Sequence, residues 1–139
     1  DILRRAGLKV QTVGVGSDVI NGAHGVPVVV DIREDVVDMA NLDAVVLPGG
    51  MPGTLNLEKS VTVQAAIRSA MNNNAVVAAI CAAPMVFGRM GILEGRRATC
   101  YPGCEGELAG AKYTAAAVEQ DDNIITKISL CQPIFLSIF

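Results

Sequence analysis

Two short apolar runs, Asp43 to Leu47 (DAVVL) and Ala75 to Ile80 (AVVAAI), constrain this chain more than any other feature. The second holds only small or β-branched residues and no charge, the composition of a strand buried on both faces inside a parallel sheet. Between them, Ser60 to Met71 (SVTVQAAIRSAM) brings Val63, Ala66, Ile67 and Ala70 to one helix face, with Ser60 as the N-cap and Asn72-Asn73-Asn74 as the stop. Parallel strands need a crossover of this kind, and the crossover is right-handed. Asp43 to Cys81 therefore reads as a βαβ unit, which commits the chain to an α/β fold and brings the carboxyl ends of both strands to one sheet edge.

That edge carries the chemistry. The first strand empties into Pro48-Gly49-Gly50-Met51-Pro52-Gly53, where three glycines and two prolines in six residues demand close backbone approach or positive φ. No G-x-G-x-x-G and no following Lys-Ser/Thr is present, so the loop is not a nucleotide cradle. The second strand stops at Cys81, and Ala82-Ala83-Pro84 then allow a sharp turn into a helix whose first position suits proline. A thiol at a helix N-terminus meets unpaired N–H groups that favour its thiolate, as a nucleophile needs. A buried structural cysteine is the alternative, because free cysteine is among the most buried residue types. If Cys81 attacks a carbonyl, the Gly50 and Ala82 amides are the expected donors to the oxyanion. Ligands of open parallel sheets gather at strand carboxyl ends, where both segments lie.

Around this unit the pattern is less sharp. Asp1 to Ala6 reads as the last turns of a helix, with Gly7 as its C′ residue. Leu8 to Val15 is predicted as a strand, Gly16 to Gly25 as a turn-rich link with His24 as a solvated loop residue, and Pro27 to Ile32 as a strand. Arg33 to Leu42 is polar with apolar residues at helical spacing. After the elbow come a short helix from Pro84 to Met90 closing at Gly91, a strand from Arg96 to Tyr101, and a short helix from Glu105 to Ala109. Strands from Lys112 to Glu119 and Asn123 to Ile128 follow, turning through Asp121-Asp122-Asn123.

Composition narrows the function classes. The 139 residues suit one domain; 51% are hydrophobic and 18% charged, enough for a core, and a net charge of −3 with no Lys/Arg cluster excludes nucleic acid as the expected partner. No run reaches the length of a membrane span, although Ile134 to Phe139 is apolar. The cysteines at 81, 100, 104 and 131 follow no signal-peptide pattern and sit in an α/β chain, so a reducing cytoplasm is expected rather than disulfides. Cys100 and Cys104 have C-x3-C spacing, but without a second pair, and with His24 distant, no metal is expected.

The order VVLPGGMPGTLNL, VVAAICAAP, GILEGRRATCYPG and DDNIIT resembles the ThiJ/PfpI family, the parkinsonism-associated protein deglycase and its microbial relatives in the class I glutamine amidotransferase-like superfamily. The resemblance implies a flavodoxin-like α/β/α sandwich with a mostly parallel sheet, usually in a homodimer. It also implies cofactor-free chemistry, in which an elbow cysteine adds to 2-oxoaldehydes such as methylglyoxal, or to early glycation adducts. Transferred position by position, Cys81 is the nucleophile, Gly49, Gly50 and Ala82 line the oxyanion site, and Tyr101 stands where some members carry a histidine.

Two departures accompany it. The family's first strand, with a glutamate bonded to the cysteine, would precede Asp1, and the family's last helix has no counterpart in Lys127 to Phe139. Residues 1–126 thus read as an incomplete domain, and 127–139 as a divergent apolar tail. Lacking that central strand, the isolated chain is expected to fold poorly or to borrow a strand from a partner. Glu58 and Glu94 read as solvated loop charges rather than substitutes for the glutamate. Three functions compete: a glyoxalase or deglycase using Cys81; a non-catalytic redox sensor or chaperone whose Cys81 is oxidised to sulfinate; and a peptidase or amidotransferase. The third ranks lowest, because Ala79, Ala82 and Ala83 stand where those enzymes place histidine or glycines.

Overall fold

The structure, a computed structural model, describes residues 1–22 and 24–129 and divides between residues 1–37 and residues 38–129. In the first unit, α1 (Ile2–Arg5) closes as the sequence predicts. Gly7 takes φ +84°, its N–H donates to the Arg4 carbonyl, and the Leu8 N–H donates to the Leu3 carbonyl. Four short strands follow: β1 (Val13–Gly14), β2 (Val19–Asn21), β3 (Pro27–Val29) and β4 (Ile32–Arg33). β1 pairs in parallel with β4, and β2 with β3 as an antiparallel hairpin.

Here the sequence reading needs correction. Only Val13 and Gly14 of the predicted strand Leu8 to Val15 enter a ladder. The turn-rich link contributes β2, and His24 sits exposed in the hairpin's loop, as expected. Pro27 to Ile32 is two strands, interrupted where the Asp31 carboxylate accepts from the Thr12 N–H, the Thr12 hydroxyl and the Arg4 guanidinium. These bonds, led by that of the Thr12 amide, hold the Asp31 carboxyl below its usual range. Every residue of β2 and β3 is exposed, so no alternation of buried and exposed positions marked them.

The second unit contains the βαβ motif. β5 (Ala44–Leu47), α2 (Gly53–Lys59), α3 (Val61–Asn72), β6 (Val76–Ile80) and α4 (Pro84–Arg89) follow in order. Next come β7 (Arg97–Ala98), β8 (Lys112–Tyr113), β9 (Val118–Asp121) and β10 (Ile124–Lys127). The main sheet runs β5-β6-β10-β9, with β5, β6 and β10 parallel and β9 antiparallel at the edge. The β9–β10 turn passes through Asp122 at φ +59°, within the turn read from Asp121-Asp122-Asn123. This is the flavodoxin-like α/β arrangement that the resemblance implies.

The crossover helix is as expected: the Ser60 hydroxyl accepts from the Val63 N–H at 3.1 Å, and Ala66, Ile67 and Ala70 are buried. Ile67 and Ala70 share a core with Leu47, Val77, Phe87 and Ile124. β6, expected to be buried on both faces, is fully buried only at Val77 and Ala79, while Val76, Ala78 and Ile80 are half-buried. α2 was not predicted. It begins inside the glycine loop, where the Thr54 N–H and hydroxyl both donate to the Gly50 carbonyl at 2.9 Å.

Further along, the strand predicted from Arg96 to Tyr101 is reduced to β7, and the helix from Glu105 to Ala109 to a 3-10 turn, Glu105–Glu107. The strand from Lys112 to Glu119 is split between β8 and β9. Lys127, read as the start of the tail, is the last residue of β10, paired with Ile80 and Val118. Ile128, whose N–H donates to the Ala117 carbonyl at 3.1 Å, and Ser129 follow it, and the rest of that reading, from Leu130 to Phe139 and including Cys131, lies outside the described residues.

Candidate functional site

Cys81 is the first residue after β6 and takes φ +65°, a left-handed conformation that a non-glycine side chain adopts at a cost of about 1–3 kcal/mol. Two hydrogen bonds from distant segments hold it there. The Cys81 N–H donates to the Lys127 carbonyl at 2.9 Å, and the Cys81 carbonyl accepts from the Tyr101 N–H at 2.8 Å. The chain then turns at once: the Ala83 N–H donates to the Ile80 carbonyl, and Pro84 opens α4. With Ala82 5% exposed and Ala83 fully buried, methyl side chains let that bend pack against the core.

The glycine loop lies against this bend. A Cβ built on Gly49 would stand 2.4 Å from the Cys81 Cβ, 2.6 Å from the Ile80 carbonyl oxygen and 3.3 Å from the Cys81 Sγ, so only glycine fits. Gly50 takes φ +97°, and its carbonyl is committed to Thr54. Among the described residues, neither the Gly50 N–H nor the Ala82 N–H donates to another group. Gly50 follows the glycine that packs against the half-buried Cys81, and Ala82 follows Cys81 itself.

Tyr101 joins the site by its main chain. The residue is 42% exposed. Tyr101-Pro102-Gly103-Cys104 is a β-turn with Gly103 at φ +96° and the Cys104 N–H donating to the Tyr101 carbonyl at 3.0 Å, the arrangement of a type II turn. Sequence reasoning left this turn unassigned, although its Pro-Gly pair is a recognised signal. The Glu105 carboxylate accepts from the Gly103 N–H at 2.8 Å, which lowers the Glu105 carboxyl from its usual range.

Two more cysteines lie nearby. Cys100 is fully buried, and burial first, then the charges of Cys104, Glu105 and Cys81, push its thiol up to about 12. Cys104 is half-buried, and its thiol is also raised, by burial and then by Cys81, Glu105 and Glu107. Among the described residues, no group of three or more His, Cys, Asp or Glu side chains is arranged to hold a metal ion. Among them, too, no helix is long and apolar enough to cross a membrane.

The two acids considered from sequence lie in different settings. Glu94 is exposed in a turn, as expected. Glu58 is not a loop charge: it belongs to α2 and pairs with the Arg89 guanidinium at 2.6 Å, which a second carboxylate, Glu107, shares at 2.9 Å. No side chain hydrogen-bonds the Cys81 sulfur among the described residues.

The DJ-1/PfpI family model matches residues 1–133. Protein DJ-1 homolog B of Arabidopsis thaliana is 36% identical over 130 residues, which are 91% of this chain and 30% of the relative. A deglycase of Pyrococcus horikoshii is 34% identical over 128 residues, 89% of this chain and 75% of the relative. The crystal structure of a mutant DJ-1 superfamily protein from Salmonella typhimurium is similar at a TM-score of 0.87 and 32% identity, covering 93% of this chain and 71% of that one. The chain thus spans less than a third of the Arabidopsis relative and about three quarters of the archaeal one.

Proposed function

This chain belongs to the DJ-1/PfpI family, and from that premise we propose that Cys81 is the nucleophile of a cofactor-independent glyoxalase or deglycase acting on 2-oxoaldehydes or early glycation adducts. The observation that carries the reading is the left-handed φ of +65° at Cys81, a strained conformation that two long-range hydrogen bonds maintain. The 34% identity to a protein named a deglycase supports the same reaction class.

In this mechanism the Cys81 sulfur forms a bond to the aldehyde carbon, and the carbonyl π pair moves to oxygen. That oxygen is received by the Gly50 and Ala82 amides, which have no other acceptor among the described residues. The oxyanion takes up the proton that the thiol gave, completing the hemithioacetal; the former aldehyde carbon then loses its proton, the adjacent ketone carbon gains one, and the hydroxyl proton passes to the former ketone oxygen. The product is a thioester of the 2-hydroxy acid. Water then adds to the thioester carbon, the carbon–sulfur bond breaks, and the Cys81 thiol is regenerated. No net oxidation or reduction occurs, since one carbon is oxidised as its neighbour is reduced. Gly49 keeps the loop close to the sulfur, and Tyr101 fixes the bend from its other side.

A homodimer and a cytoplasmic setting belong to the same proposal. They are checked by light scattering on the purified protein and by localisation of the tagged full-length protein. The reaction itself is tested by supplying methylglyoxal and measuring lactate. Turnover that disappears in Cys81→Ala supports the reading; turnover unchanged in that variant overturns it.

A further inference from the structure

We propose that Cys104 is a resolving cysteine for Cys81, so that peroxide drives the pair into a reversible disulfide. The geometry begins with two successive main-chain hydrogen bonds, from the Tyr101 N–H to the Cys81 carbonyl at 2.8 Å and from the Cys104 N–H to the Tyr101 carbonyl at 3.0 Å. The Tyr101–Cys104 turn folds back on itself because Gly103 supplies φ +96° at its third position, which keeps the Cα atoms of Tyr101 and Cys104 within about 7 Å. Cys104 is thereby returned to the residue that is itself bonded to Cys81. Both residues are half-buried, whereas Cys100 is fully buried.

Cys100 is the competing partner, and its surroundings argue against it. It is fully buried within the core, and its thiol is held protonated well into the alkaline range.

The chemistry takes two steps. A hydroperoxide gives its terminal oxygen to the Cys81 sulfur, the O–O bond breaks, and sulfur is oxidised by two electrons to sulfenic acid while the peroxide becomes an alcohol or water. The Cys104 sulfur then bonds to the Cys81 sulfur, the S–O bond breaks, and the hydroxide leaves as water with the Cys104 proton. A dithiol reductant restores both thiols and is itself oxidised to a disulfide. The device keeps Cys81 off the irreversible step to sulfinate. It rests on the reading of Cys81 as the reactive sulfur.

The test is peptide mapping by mass spectrometry after the full chain is exposed to a molar excess of hydrogen peroxide, enough for two oxygen transfers to one sulfur. The expected product is a Cys81–Cys104 linked peptide lacking two hydrogens and cleaved by dithiothreitol. In Cys104→Ser the linkage is expected to vanish, and Cys81 to gain two oxygens instead. If wild-type Cys81 goes to sulfinate while Cys104 stays alkylatable, the resolving role is overturned and the reactive Cys81 stands. Linkage of Cys81 to Cys100 or Cys131 overturns the assignment of Cys104. If Cys81 remains unmodified, the inference and the reading beneath it both fail.

Discussion

Gly49 and Cys81 are in such close apposition that a single added methyl group would overlap both the cysteine's Cβ, at 2.4 Å, and the Ile80 carbonyl oxygen, at 2.6 Å. Neither obstacle is the free end of a side chain, so the loop or the bend must move. Gly49→Ala is expected to leave the fold recognisable by circular dichroism and to lower Cys81-dependent turnover by about a hundredfold, the scale set by an ångström of misplacement. Turnover within a few-fold of the parent would show that the apposition does not position the sulfur.

Relief of backbone strain should appear as stability. Cys81 adopts φ +65°, which costs a non-glycine residue about 1–3 kcal/mol and glycine nearly nothing. Cys81→Gly is therefore expected to exceed Cys81→Ala in stability by about 1 kcal/mol in urea titrations, both variants being inactive. Equal midpoints would mean that the bend relaxes without its side chain.

Alkaline pH is expected to weaken the protein through Cys100. Its thiol is raised from an unfolded value of about 8.5 to about 12, so the native state holds the proton more tightly. That contribution is whole below about pH 8.5 and declines as pH climbs toward 12. Cys100→Val, which cannot ionise, should flatten the loss measured by denaturant midpoint between pH 8 and 10. In the folded wild type, Cys100 should also be the slowest of Cys81, Cys100 and Cys104 to react with iodoacetamide.

Two buried threonines in contact should respond in opposite directions. The Thr126 hydroxyl accepts from the Thr99 N–H at 2.9 Å, whereas the Thr99 hydroxyl, also buried, has no partner among the described residues. Thr126→Val orphans a buried amide and is expected to destabilise by about 1–3 kcal/mol. Thr99→Val removes a hydroxyl that already lacks a bond and should be neutral or stabilising. Equal effects would show that the Thr99 hydroxyl is satisfied in solution.

Phe87 supplies a measure of the core itself. It is fully buried in the cluster around β6 and α3, and Phe87→Ala is expected to destabilise by about 3–5 kcal/mol. A loss below about 1 kcal/mol, read from urea midpoints, would mean that the surrounding side chains collapse into the space.

The parts legible in the sequence were those whose burial imposes a period or whose turn demands a special residue. β5, α3, β6 and the Pro84 start of α4 all met one of these conditions, as did Gly7. β2 and β3 met neither, since all six of their residues are exposed. α2 was hidden because Gly53 and Pro52 read as loop residues, while its first turn is fastened to the Gly50 carbonyl by Thr54. Proximity around Cys81 was legible on one side only: the crossover brings Gly49 and Gly50 to the cysteine. No local pattern announces that the main chains of Tyr101 and Lys127 bond to it, because those contacts depend on the register of segments far apart in the chain.

The bonds from Cys81 to Tyr101 and Lys127 also have a consequence for biosynthesis. A ribosome delivers position 81 well before position 127, so the emerging polypeptide carries an ordinary cysteine in a flexible segment. Only after β10 has been translated and docked can the sulfur acquire its constrained setting, which delays any special reactivity until this unit is nearly whole.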